Sequence, residues 1–289
     1  MKDDTRRTLI ICGSILTVFL VLIGGIFVYS GVSPPFSVIN SGSMQHSDDT
    51  SSIGIIDTGD MVIVKDPSSH GITTYVEGSK TGYTQFGEYG DVIIYKTSSN
   101  NIIHRAMLEL TLKENSASVQ KWYIPSLDGY DDWDIGYTTS GSFISLKESL
   151  WDENDKILSV YETNTYFIMK DVGYAQIDVT TNLWNIGEGR SAGYTGYLTK
   201  GDNAHTNSGF DQDILSVTRH ELVQDDDIKS VAIVEIPWLG SIKLLLTGKN
   251  VDKIPFNSIL SLVITCITII VVCILINYLI TDKTGGKKG

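Results

Sequence analysis

Gly90-Asp91-Val92-Ile93-Ile94-Tyr95-Lys96, the polar turn Asn100-Asn101, and Ile102-Ile103-His104-Arg105-Ala106-Met107 decide the architecture. Two β-branched runs flank a short polar turn, which is the pattern of an antiparallel hairpin. The Gly-Asp pair turns the chain into the first strand. The same signature recurs upstream at Gly59-Asp60-Met61-Val62-Ile63-Val64-Lys65. Phe36-Ser37-Val38-Ile39 follows Pro34-Pro35 as a short extended segment, and Ser230–Ile236 adds another β-branched run. The expected fold class is mostly β.

Residues 108–192 differ in texture, being rich in Trp, Tyr and Gly/Ser/Asp turn signals. Thr163–Met169 and Ala175–Val179 read as strands. Lys147–Val160 leans towards helix, with poor periodicity. This region is expected to be a β-rich insertion, dividing the outer part into residues 31–107, 108–192 and 193–250.

Two apolar runs bracket these segments. Thr8–Tyr29 holds 22 residues without a charge and Phe256–Ile280 holds 25. About 20 apolar residues cross a bilayer as a helix, because lipid offers the backbone no hydrogen-bond partner. Spanning helices are therefore expected at 8–30 and 256–280. The first run is too long for a signal-peptide core, and no Ala precedes Ala106, so it reads as an uncleaved anchor. Lys2, Arg6 and Arg7 flank one run and Lys283, Lys287 and Lys288 the other. By the positive-inside rule the tails, 1–7 and 281–289, are cytoplasmic and residues 31–255 lie outside.

The outer segment carries 16 Lys/Arg and 31 Asp/Glu, a net charge of −15. That excludes a nucleic-acid partner, which needs a basic face. Cys12, Cys266 and Cys273 all fall inside the apolar runs, so the outer segment has no disulfide and no thiolate metal site. His205 with Asp202, Asp211 and Asp213 lacks the regular spacing of a metal centre. No metal and no cofactor are expected.

A serine hydroxyl becomes a nucleophile only with a base in reach and donors for the developing oxyanion. Ser43, in Ser41-Gly42-Ser43-Met44-Gln45, lies 14 residues beyond the first apolar run, at the height of a peptide bond just outside a membrane. Its own N–H and the Ser41 hydroxyl are candidate oxyanion donors. His104 interrupts an apolar strand and is the candidate base. His46 is a rival base in a polar run and is expected to be solvent-exposed; His70, His205 and His220 read as loop or helix-flank residues. A carboxylate from Lys200-Gly201-Asp202-Asn203, or Asp211 beyond it, would orient the imidazole.

Five ordered blocks resemble the type I signal peptidases, in the archaeal and endoplasmic-reticulum branch that uses Ser, His and Asp. They are Ser41-Gly42-Ser43-Met44; Thr58-Gly59-Asp60-Met61-Val62; Tyr89-Gly90-Asp91-Val92-Ile93 leading to Ile103-His104-Arg105; Thr199-Lys200-Gly201-Asp202-Asn203; and Ile236-Pro237-Trp238-Leu239-Gly240. The resemblance covers residues 36–107 and 196–246. It implies a signal-peptidase-like β catalytic domain on the outer membrane face, with Ser43 as nucleophile, His104 as base, and Asp202, Asp211 or both orienting His104. It further implies shallow pockets for small side chains at the first and third positions before the cut. The implied substrates are exported preproteins at the lipid bilayer, with the translocation machinery a further candidate partner. Three positions depart from the pattern: His46 replaces a Pro, Ala204 replaces a second Asn, and 98 residues separate His104 from Asp202. Two other readings are a non-catalytic membrane-tethered β-domain that binds or scaffolds envelope proteins, and a related peptidase with a narrow precursor target.

Overall fold

The computed structural model describes residues 3–285 apart from Ser99, Glu162, Thr163, Leu215, Ser216 and Arg219. The N-terminal helix α1 (Asp3–Ser30) leads into β1 (Phe36–Val38) and β2 (Met61–Lys65). Short helices α2 (Pro67–His70) and α3 (Tyr75–Thr81) precede a small ladder of β3 (Thr84–Gln85) and β4 (Glu88–Tyr89), then β5 (Val92–Lys96) and β6 (Asn101–Asn115). Next come β7 (Gln120–Tyr123), β8 (Trp133–Thr139), β9 (Ser142–Ser145), α4 (Lys147–Leu150), β10 (Trp151–Asp152) and β11 (Ile157–Val160). The chain continues through β12 (Tyr166–Val172), β13 (Ile177–Thr181), α5 (Leu183–Gly187), β14 (Thr195–Lys200), β15 (Ile228–Ile236), α6 (Ser241–Thr247) and α7 (Phe256–Gly285). The protein is mostly β-sheet with an apolar helix at each end. Ile10–Ser30 and Phe256–Ile276 are each long and apolar enough to cross a membrane, and neither apolar window is buried in the protein.

Nine strands form one sheet in the order β1-β2-β15-β5-β6-β7-β11-β10, with β14 added to β6. The quoted hairpin is its centre: Ile93 pairs with His104 and Val92 with Arg105, antiparallel. Its turn runs from Thr97 to Asn100, closed by the Thr97 N–H donating to Asn100 O at 2.8 Å, and is longer than a two-residue turn. Gly90, ahead of β5, has φ +74°, and a Cβ there would sit 2.6 Å from Tyr75 N, so only glycine fits this entry.

Residues 108–192 are less separate than their composition implies. β6 crosses residue 107 without a break, because Leu108, Leu110 and Leu112 continue the period-2 pattern and are all buried. β7, β11 and β10 extend the same sheet. Only β13-β12-β8-β9 form a second sheet of four strands. The two sheets share a core in which Leu108 and Leu112 meet Trp122, Trp133 and Phe167, all at most 1 % exposed. Trp133 packs edge-on to Trp151 with ring centroids 5.4 Å apart. The helical lean of Lys147–Val160 survives only as α4. The Asn154 and Asp155 amides fold back onto Asp152 Oδ1, making a turn from which β11 returns to pair with β10 and β7.

Three carboxylates meet where β2 and β15 converge. Asp60 accepts from the Asp57 and Trp238 amides at 2.7 Å each, and Glu235 accepts from Gly54 N at 2.6 Å. Burial, the largest cause in each case, pushes Asp57 up to about 7, Asp60 to about 6 and Glu235 to about 8. The folded protein therefore holds protons that the unfolded chain has already released. The stability these three groups contribute is full below the ordinary carboxylate range and is lost as pH rises through 6 to 8. The denaturant midpoint should fall between roughly pH 5 and pH 8, and Glu235→Gln should flatten that fall. A midpoint that rises across this window would contradict the assignment.

Candidate active site

The Ser41–Ser43 turn follows β1 and is held from below by its neighbours. Met44 is 1 % exposed and fills the core beside Ile39 and Val62. Gln45 is buried, with Oε1 accepting from the Thr58 amide at 3.1 Å and from the Thr58 hydroxyl, and Nε2 donating to Ser47 O. Apolar burial on one side and an amide anchor on the other leave Ser43 half-buried at the surface of a cavity. Ser43 Oγ lies 3.4 Å from Ser41 Oγ, and among the described residues no acceptor takes the Ser43 N–H.

His104 projects from β6 and is 5 % exposed. Its Nδ1 lies 2.7 Å from Asp211 Oδ2. Asp211 is fully buried, and the same oxygen accepts from the Tyr95 hydroxyl and the Thr199 hydroxyl at 2.7 Å each. His104 Nδ1 and the two hydroxyls thus converge on one buried carboxylate oxygen. Burial first, and Asp211 second, raise the Tyr95 phenol, so it stays a neutral donor. Nδ1 then carries the hydrogen, and Nε2 is left as the acceptor. That nitrogen faces Gly201: a Cβ at this position would lie 2.9 Å from His104 Nε2 and 2.5 Å from Ser43 O. Glycine is required there because the turn closes directly over His104 and Ser43. Ser43 Oγ is paired with Ser41 and not with His104; in unliganded sites such contacts commonly tighten only around a substrate.

The two candidate carboxylates separate. Asp211 reaches His104. Asp202 instead takes the Arg105 guanidinium, with Nε–Oδ1 2.9 Å and Nη2–Oδ2 2.5 Å. Successive residues of a strand face opposite ways, so His104 and Arg105 cannot share a partner. Arg105 is 1 % exposed and Nη1 also meets the carbonyls of Tyr89 and Gly90. Asp202 is therefore an anchor for its turn and does not orient the imidazole. Arg105→Ala leaves a buried carboxylate unpaired and should cost about 3–5 kcal/mol of folding free energy. Equilibrium denaturation measures this, and an unchanged midpoint would show the pair to be idle.

The remaining expected positions are placed as follows. Asn203 ties its turn to the nucleophile: its N–H donates to Ser43 O and its Nδ2 to Gly42 O, both at 2.9 Å. His46 is not solvent-exposed as its polar neighbours imply; it is half-buried and stacks on Tyr174 with ring centroids 4.2 Å apart. His70 ends α2 with Nε2 3.4 Å from Asp91, and His205 lies in the turn after Asn203. Trp238 adopts φ +62° and its indole N–H points to Ser51 Oγ, while Leu239 is 38 % exposed.

Sequence reading missed Tyr95, Thr199, Arg105 and Lys200 as parts of the site. In the sequence, Tyr95 figures only as part of its strand, and Thr199 only within the block that carries the resemblance. Lys200 is 4 % exposed with Nζ donating to Gly201 O at 2.7 Å. Burial holds its ammonium below the ordinary lysine range, against the pull of Asp202 and Asp211.

Ser43 stands between two openings. One, of about 650 Å³, is lined by Ser41, Ser43, His104, Asn207 and two strand segments, Ser37–Asn40 and Asn101–Ile103. The other, of about 420 Å³, is lined by Ser43, Gln45, Asp48, Thr206 and Lys253. Around the first, among the described residues, β1 pairs only with β2, and β6 pairs with β14 only from Arg105 onward. Among those residues, two strand edges thus face the space beside Ser43 without a ladder partner. No protein family, no curated protein and no solved structure matches the chain.

Proposed function

We propose that the protein is a membrane-anchored serine endopeptidase that removes N-terminal signal peptides from exported preproteins. The observation that carries this reading is the buried Asp211–His104 pair, opening on the cavity that Ser43 lines. His104 Nε2 takes the Ser43 proton as Oγ attacks the scissile carbonyl. The Ser41 hydroxyl and Ser43 N–H receive the oxyanion, and His104 returns the proton to the leaving amine. Water, deprotonated by His104, then hydrolyses the acyl-enzyme.

The substrate's cleavage region adds as a strand to the edges of β1 and β6. Its apolar segment lies in the bilayer beside α1, whose end precedes Ser43 by a few turns of chain. Both tails are cytoplasmic in this arrangement and the β-sheets lie outside, facing substrates delivered by the translocation machinery. The acidic balance of the outer segment supports this by favouring a soluble, non-nucleic-acid-binding surface.

The test uses the purified full chain in lipid nanodiscs with a preprotein and a fluorophosphonate probe. Cleavage at one site, together with covalent labelling of Ser43, is the expected result. Precursors left intact and Ser43 unlabelled would sink the reading. A precursor panel separates general processing from a narrow target.

A further inference from the structure

Tyr174 belongs to the second sheet, at the tip of the β12–β13 hairpin, yet it meets the segments that frame the nucleophile. Its ring stacks on His46 with planes 23° apart. Its hydroxyl accepts from the Ala204 N–H at 3.3 Å. Beside it, the Gly173 N–H donates to the Tyr75 hydroxyl at 3.0 Å. His46 lies three residues after Ser43, and Ala204 follows Asn203, whose N–H holds Ser43 O. One ring therefore touches both turns that border Ser43.

The stack is what holds His46. Its Nε2 is buried with no hydrogen-bond partner among the described residues, and Gly87 leaves room for it: a Cβ there would come within 3.2 Å of His46 Cε1. Burial lowers the imidazole's pKa, which keeps the ring neutral against the tyrosine. The Ser41-Gly42-Ser43 turn contains no residue that restricts its own backbone, and a proline is absent after Gln45. Stiffness must come from outside the turn. Tyr174 itself stays 38 % exposed, so it fills no core space whose loss would unfold the protein.

We propose that Tyr174 is a positioning residue for Ser43: through its stack on His46, the second sheet sets the nucleophile's turn against His104. This rests on the peptidase reading above.

The experiment measures kcat and KM for one preprotein, with the full chain in nanodiscs, for Tyr174→Ala, Tyr174→Phe and His46→Leu. Misplacing a reacting group by about 1 Å costs roughly 100-fold. Tyr174→Ala should lower kcat by about 10- to 100-fold with KM within about twofold. Tyr174→Phe keeps the stack and should recover most of kcat, while the unfolding midpoint of both stays near the parent's. His46→Leu removes the other ring and should match Tyr174→Ala, which covers the case in which Tyr174→Ala does not fold. Parent-like kcat in Tyr174→Ala or His46→Leu overturns the proposal, as does Tyr174→Phe as slow as Tyr174→Ala. A kcat loss that only tracks a falling midpoint also overturns it. A parent chain that cuts no precursor defeats the peptidase reading and this proposal together; a cutting parent with equally fast variants defeats this proposal alone.

Discussion

Ser43→Ala should reduce preprotein cleavage by about a million-fold, to the level left by binding and oxyanion contacts alone. The substitution removes one oxygen whose protein contact is a 3.4 Å approach to Ser41 Oγ. The turn's anchors, Met44 in the core and Gln45 on Thr58, stay in place. Folding stability should therefore change by no more than about 0.5 kcal/mol. Single-turnover cleavage and denaturant unfolding, measured on one preparation, separate these effects. A folded Ser43→Ala protein that still cuts at the parent's rate would rule out Ser43 as the nucleophile and place the cleavage on another group.

Asp211→Asn should lower kcat by about 10⁴-fold. The amide can offer His104 Nδ1 an N–H, which favours the opposite tautomer and takes away the acceptor at Nε2. The Tyr95 and Thr199 hydroxyls, each 2.7 Å from Asp211 Oδ2, would meet an amide in place of a charge. Asp202→Asn makes the informative contrast. Its partner is Arg105, so its loss should appear mainly as a lower unfolding midpoint, with a much smaller effect on kcat. If Asp202→Asn proved the slower enzyme while Asp211→Asn stayed within about threefold of the parent, the roles drawn from the geometry would have to be exchanged.

The strands were readable because burial on a sheet leaves a local mark. Val62 and Val64 alternate with half-exposed neighbours, and β5 is a continuous buried run. The same marks ran through Leu108, Leu110 and Leu112, but composition beyond residue 107 drew attention to turns and aromatics. Ser43 and His104 were legible as residues out of character with their surroundings. The division of labour between Asp202 and Asp211 was not, because it depends on how β14 registers on β6. Thr199 pairs with Ala106 and Lys200 with Arg105 only after a bulge beyond Leu198. No local pattern encodes a bulge that answers to a strand about ninety residues away. Tyr174 was hidden for a related reason: it lies in the β12–β13 turn, far along the chain from the His46 ring on which it stacks.

β15 lies between β2 and β5, the strands that lead from the Ser43 turn and into the His104 hairpin. On the peptidase reading proposed above, β15 bridges the serine-bearing and histidine-bearing parts of the sheet, so the pairing of residues 228–236 with both neighbours is one condition for the geometry of the site.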